Sequence, residues 1–357
     1  MPLTQIKTSN LDSTNGLFFR NRIINGAMMI DQRNAGASVT PSSDAYTLDR
    51  WTTWTYAASK FSVQQNAGSV TPPTGFVNYL GITSTSAYSV PTGEGFAMMQ
   101  KIEGYNMADL GWGAVGASSV TLSFWVRSSL TGTFGGALNN SAQTRSYPFS
   151  YAINSANTWE YKTVTIAGDT TGTWLTTNGA GILLKFGLGV GATLSGTAGT
   201  WAGANYASAT GATSVVGTNG ATFYITGVQL EKGTAATPFE YRPYGTELYL
   251  CQRYYTQLVG NYSPDFSVPN ASYVNYWTHC WQFPQAMRSS PTVSQISGTT
   301  ITMDQYGIGP ATVSSNQVGS VNQYYGRITV VTSSPSSADP GSAISPTGTF
   351  WQASAEL

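Results

Sequence analysis

Histidine occurs once in this chain, at His279, and cysteine twice, at Cys251 and Cys280. A lone histidine excludes multi-histidine metal centres and is most simply a residue of the strand that carries it. Two cysteines make no disulfide framework; Cys251 and Cys280 pair only if their strands lie side by side. Charge is scarce as well, because only 9% of the 357 residues are charged and 16 basic residues cancel 16 acidic ones. That removes the electrostatic footprint of a nucleic-acid partner or an anionic membrane surface. No run approaches the ~18 apolar residues of a membrane helix, so no membrane insertion is expected. The opening MPLTQIKTSN lacks the apolar core of a secretory signal, which implies synthesis in a cytosol. A GxSxG elbow, a Walker loop, a dinucleotide fingerprint and a CxxC pair are also missing.

What is abundant is aromatic and small: Phe, Trp and Tyr make up 13%, and there are 39 glycines. With Thr, Ser and Asn dominating the polar share, this is the composition of glycine-punctuated β-structure. Strands are expected at Arg22 to Met28, Asp49 to Tyr56, Lys60 to Gln64, Phe76 to Ile82, Met98 to Gly104, Val120 to Arg127, Trp159 to Ile166, Ile182 to Leu188 and Ala221 to Lys232. Their number and spacing predict an all-β chain, with an N-terminal jelly-roll β-sandwich and a smaller antiparallel C-terminal β-sandwich. The expected boundaries are a leader at 1–20, a jelly-roll domain at 21–244 and a tip domain at 245–357. Residues 189–220 read as a long surface loop or a pair of weak edge strands. The stretch from Glu247 to Tyr255 reads as either a short helix or a strand, with a strand start after a turn favoured. Within the strand near 222–232, Phe223 and Ile225 share one ideal face while Val228 and Leu230 share the other, so a bulge at Gly227 is expected to return all four to the core.

Candidate ligand platforms follow from the same alternation. On Val120 to Arg127, Leu122, Phe124 and Val126 form the aliphatic face, which sends Trp125 outward beside Arg127. A flat indole on a rigid sheet suits stacking against sugar C–H faces, and Trp112 is a second such candidate. In the second domain Tyr273, Trp277, Tyr324 and Tyr325 are the corresponding aromatic set. Catalysis finds little: Glu94, Glu103, Asp109, Glu160 and Asp169 are the carboxylates from which a glycosidase pair would be drawn, and each has an ordinary structural reading. No catalytic residue, metal ligand or cofactor is assigned. A structural calcium remains possible, although no loop shows a ligand-dense spacing. Low charge gives weak colloidal repulsion, so the apolar faces are expected to be covered within an oligomer.

LSFWVRSS at 122–129, NTWEYKTVTIAGD at 157–169 and GVQLEKG at 227–233 resemble the strand signatures of jelly-roll carbohydrate-binding modules, in the same order. RIINGAMMIDQRN near the start, DRW at 49–51, IEGYNMADL at 102–110, TPFEYRPYGTELYLCQRYY at 237–255 and the terminal WQASAEL resemble tailed-bacteriophage tail-fibre and receptor-binding proteins. This second resemblance implies a non-enzymatic virion protein, made in the host cytoplasm. It further implies a homotrimer that touches other virion proteins through the leader and a host cell-surface glycan through its β-domains. The alternative is a head decoration or structural fibre protein without an essential ligand.

Overall fold

The computed structural model describes residues 19–259, 276–296, 302–305, 309–332, 344–346 and 349–357. The chain divides after Glu247 into two compact units. The leader expected at 1–20 falls almost wholly outside the described residues.

The first unit carries β1 (Tyr46–Leu48), β2 (Trp51–Thr55), β3 (Phe61–Gln65), β4 (Leu80–Ser84), β5 (Gly95–Glu103), β6 (Val120–Ser128), β7 (Gly132–Asn140), β8 (Ser146–Ile153), β9 (Glu160–Ile166), β10 (Ala180–Val190), β11 (Ser195–Gly196), β12 (Ser208–Ala209) and β13 (Thr222–Lys232). One antiparallel sheet runs β1-β2-β5-β10-β7-β8 and the other β3-β4-β13-β6-β9, and they form a jelly-roll sandwich. Alternate residues of both sheets fill one core: Leu122, Phe124 and Val126 of β6 meet Phe134 of β7, Phe149 of β8 and Phe186 of β10, all essentially unexposed. Burying each such side chain stabilises by roughly 1.5–3 kcal/mol relative to leaving it in water.

The expected bulge is present. Thr226 pairs with Trp125 but Gln229 pairs with Ser123, so Gly227 and Val228 together oppose one residue of β6. Gly227 has φ 61°, and Phe223, Ile225, Val228 and Leu230 all reach the core. The bulge also ends the ladder to β4, which pairs only with Thr222 to Ile225. Beyond it residues 21–26 lie against β13: Arg22 N–H donates to the Leu230 carbonyl and Val228 N–H to Gly26, both at 2.9 Å.

Three sequence expectations are corrected here. Arg22 to Met28 is not a strand; Asn25 and Met28 both have positive φ, and beside its backbone bonds to β13 the segment is held by side chains. The Asn25 amide donates to the carbonyls of Ile30 and Asp49, its oxygen accepts the Ile30 N–H, and its own N–H meets the Glu247 carboxylate. Residues 244–252 form α1 (Tyr244–Gln252), not a strand start. Pro243 is pre-set for a helix N-terminus, Glu247 sits favourably in the first turn, and Glu, Leu and Gln are strong helix formers. The Gly-rich β7 and its partner β8 were absent from the expected strands, yet they form a long antiparallel hairpin. The 189–220 stretch contributes only two-residue strands, β11 and β12, paired in parallel.

Asp169 shows how the first unit handles buried charge. Its carboxylate is engaged by Arg145 through Nε and Nη2, both at 2.8 Å, and by the N–H and hydroxyl of Thr171. Burial pushes the Asp169 carboxyl up, but these hydrogen bonds and the guanidinium charge outweigh it and hold the group below the usual carboxylate range. Asp109, beside Arg22, and Glu160, beside Lys162, are held low by the same balance. A depressed folded pKa contributes stability above the unfolded value, about 4, and loses it as pH falls through the folded value. Thermal midpoints are therefore expected to be level down to about pH 5 and to fall steeply below about pH 4. Asp169→Asn should start from a lower midpoint and show a shallower acid limb; an acid limb identical to wild type would contradict this assignment.

The second unit contains β14 (Tyr255–Val259), β15 (Tyr276–Gln282), β16 (Thr292–Gln295), β17 (Thr302–Gln305), β18 (Gly309–Val321), β19 (Tyr325–Thr332), β20 (Ile344–Pro346) and β21 (Thr349–Ser354). Sheets β14-β21-β16 and β15-β19-β18-β17-β20 share a small core of Trp281, Phe283, Val293, Ile328, Val330 and Trp351. Cys251 is buried and Cys280 exposed, and no disulfide joins them.

Candidate functional site

The bulge that returns Val228 and Leu230 to the core also shapes the outer face of the five-stranded sheet. On β6 the outward residues are Ser123 and Trp125; register places Tyr161 of β9 opposite Trp125 and Thr163 opposite Ser123. The Trp125 and Tyr161 rings lie 5.4 Å apart at 51°, and Tyr161 is 44% exposed. Alternation along β9 turns its charges the other way, where Lys162 Nζ and Glu160 pair at 2.6 Å.

A strap formed by residues 233–241 closes one side. It leaves the end of β13 and folds back over the outward residues Gln229 and Glu231, both essentially unexposed. Glu231 accepts hydrogen bonds from the N–H and hydroxyl of Thr237, at 2.8 and 2.7 Å, and Gln229 accepts from Glu240 N–H at 2.8 Å. Glu240 in turn accepts the N–H groups of Phe19 and Asn21, each at 2.6 Å. The strap is thus fastened to both the sheet and the N-terminal segment. Its Phe239 and Tyr241 rings pack with Phe76, at centroid distances of 5.1 and 5.4 Å from Phe76. The Tyr241 hydroxyl donates to the Gly75 carbonyl, and burial pushes that phenol up.

Between the aromatic pair and the strap lies an open groove of about 750 Å³. Its floor is Ser123, Trp125 and Gly227; Tyr161 and Thr163 form one wall, and Thr74, Phe76 and strap residues 236–239 and 241 the other. None of these side chains is charged. Phe76 rests on Gly227, where an added Cβ would lie 2.6 Å from its ring and 3.2 Å from that of Trp125. Only a residue without a side chain fits there.

Of the residues singled out from sequence, Trp125 alone lines this groove. Trp112 is in the core, 7% exposed, its ring 4.7 Å from that of Trp174 and 5.4 Å from that of Trp201, with its N–H given to Ser118. Tyr324, 64% exposed, and Tyr325 follow β18 in the second unit and take no part in the groove. Trp277 lies in β15 opposite Val330, its side chain beyond the described residues, and Tyr273 lies outside them altogether. Tyr161, Phe76, Phe239 and Tyr241 were not singled out. Alternation along WEYKTV marks Tyr161 as outward, whereas nothing local in TPFEY announces that the strap folds back.

The carboxylates considered for catalysis have structural partners. Glu94 accepts the Tyr88 hydroxyl, Asp109 and Asp169 bind arginines, Glu160 binds Lys162, and Glu103 is 1% exposed. Among the described residues no three His, Cys, Asp or Glu side chains gather as a metal site, and no helix is long and apolar enough to cross a membrane.

No family model matches the chain, and no curated protein matches it. Solved structures do resemble it. A family 11 carbohydrate-binding module from Clostridium thermocellum, in complex with a mixed-linked tetrasaccharide, is 12% identical over 57% of this chain and all of its own, with a TM-score of 0.28. A family 4 carbohydrate-binding module is 15% identical over 58% of this chain and 98% of its own, with a TM-score of 0.31. The enzymatically active domain of tailspike protein 4 of bacteriophage CBA120 is 12% identical over 60% of this chain, with a TM-score of 0.31; the match spans 22% of that domain's length.

Proposed function

We propose that the first unit is a non-catalytic glycan-binding module and that the protein is a trimeric phage virion fibre that displays it to the host surface. The observation that carries the binding reading is the Trp125 and Tyr161 pair, half-open to solvent on a rigid sheet and facing a groove whose far wall is pinned in place. Aromatic faces supply stacking, and preorganised walls limit the entropy lost on binding. The engaged carboxylates support a role without catalysis. The resemblance of the sequence to tail fibres supports the virion setting. Three copies would multiply a weak affinity per site through effective concentration, so shallow grooves suffice to hold a particle on a cell.

The test is adsorption of purified protein to host cells and to their extracted surface polysaccharide, with mass measurement for the trimer. Trp125→Ala is expected to weaken glycan retention at least about tenfold, a loss of about 1.4 kcal/mol per site, with the thermal midpoint nearly unchanged. Undiminished retention by the variant would remove the groove from the mechanism. Absence of adsorption by the wild type would favour a decoration role, and a stable monomer at micromolar concentration would overturn the trimer.

A further inference from the structure

We infer that the groove selects an uncharged glycan chain and discriminates against acidic ones, an inference that rests on the glycan-binding reading of the same site. The argument is an account of every charge at the outward positions of the sheet. Along β3, β4, β6, β9 and β13 these positions hold Ser, Thr, Gln, Gly, Tyr and Trp, with two ionisable charges, Arg127 and Glu231.

Both are already engaged. Arg127 lies one outward position beyond Trp125, outside the groove lining; its Nε–H donates to the Asn157 carbonyl at 2.9 Å and its guanidinium sits 5.5 Å over the Tyr224 ring. Glu231 is sealed beneath the strap by Thr237 and Gln229. The strap's own charge, Glu240, and the next residue, Arg242, are turned to the N-terminal segment: Glu240 accepts from Phe19 and Asn21, and Arg242 donates to the carbonyls of Asn21 and Ile23 and pairs with Glu247.

An acidic sugar entering the groove would meet aromatic rings and hydroxyls, with no cation among the described lining residues, and the Glu231 carboxyl group lies behind the strap. A carboxylate or sulfate desolvated without a paired cation is unfavourable, so the groove discriminates by what it withholds. Neutral hydroxyls meet no such penalty. The exposed Thr163 hydroxyl makes no hydrogen bond to any described residue, which leaves it for a sugar hydroxyl at the wall.

A glycan array carrying neutral, uronate, sialylated and sulfated glycans, followed by affinity electrophoresis in the best-retaining polymer, tests this with the full-length protein. Retention is expected on neutral glycans, with affinity constant within about twofold between about 0.05 and about 0.5 M salt, because no ion pair is there to be screened. Arg127→Gln should leave it within about twofold, while Trp125→Ala should lower it about tenfold or more. Retention confined to acidic glycans, falling with salt and lost in Arg127→Gln, would overturn the selectivity and leave glycan binding intact. Retention of no glycan by the wild type would overturn the binding reading and this inference with it.

Discussion

Asn25→Ala is expected to destabilise the first unit by about 3–5 kcal/mol, the largest single-residue effect outside the aromatic core. The residue is fully buried at φ 59°, and its side chain makes three hydrogen bonds to backbone groups of Ile30 and Asp49. Its carbonyl also accepts the Trp51 indole N–H at 3.1 Å. Alanine would keep that backbone carbonyl but orphan the Ile30 and Asp49 groups bound by the side chain, at about 1–3 kcal/mol each before relaxation. It would also hold a non-glycine residue without a local side-chain bond in the left-handed region, at roughly 1–2 kcal/mol. Asn25→Gly separates the two contributions, since it relieves the backbone but not the hydrogen bonds, and should recover only about 1 kcal/mol. Chemical denaturation reads all three proteins. A loss below about 1 kcal/mol in Asn25→Ala would show that the segment re-forms its bonds elsewhere.

Gly227→Val is expected to cost about 3 kcal/mol or more and to remove glycan retention at the same time. A β-branched residue at φ 61° is strained in any setting, and here its Cβ would also drive into the rings of Phe76 and Trp125. For a domain of this size about 3 kcal/mol corresponds to a fall of roughly 6–12 °C in the thermal midpoint. Gly36→Ala is the control, because φ there is 81° and an added Cβ meets nothing within 4 Å. Comparing Gly227→Ala with Gly36→Ala isolates the ring clash from backbone strain. Equal midpoints for that pair, with retention unchanged, would mean that Phe76 and Trp125 yield freely and that the bulge does not set the groove.

Local pattern was sufficient for a good part of this protein. Strict alternation on β6 placed Leu122, Phe124 and Val126 in the core and Trp125 outside it, because a strand has only two faces and one was saturated with aliphatic groups. The side switch between Ile225 and Val228 marked the bulge, since one extra residue is the simplest way to restore a period of two. The β7 and β8 hairpin was hidden for the opposite reason. Gly135 and Gly136 interrupt any apolar pattern, and they are small because Ser208 presses on the first and Phe149 on the second: a Cβ at either would lie 2.4 Å from that side chain. Close approach by distant parts of the chain leaves no periodic trace. Over α1 the two alternatives were left nearly balanced, because Tyr249 and Tyr254 carry β-propensity while the Pro243 start and the spacing of buried Glu247 and Cys251 favour the helix that forms.

An all-β chain with little charge, an outward Trp125 and a bulge at Gly227 were legible in the order of residues alone, because composition and alternation act over a few neighbours. Only the tertiary structure decided that Trp112 is core, that Tyr161 stands beside Trp125, and that residues 233–241 return across the sheet to wall a groove. Those outcomes depend on strand register and on hydrogen bonds such as Thr237 to Glu231 and Asn21 to Glu240, and the pairing of residues far apart in sequence is settled only when the sheets close on one another.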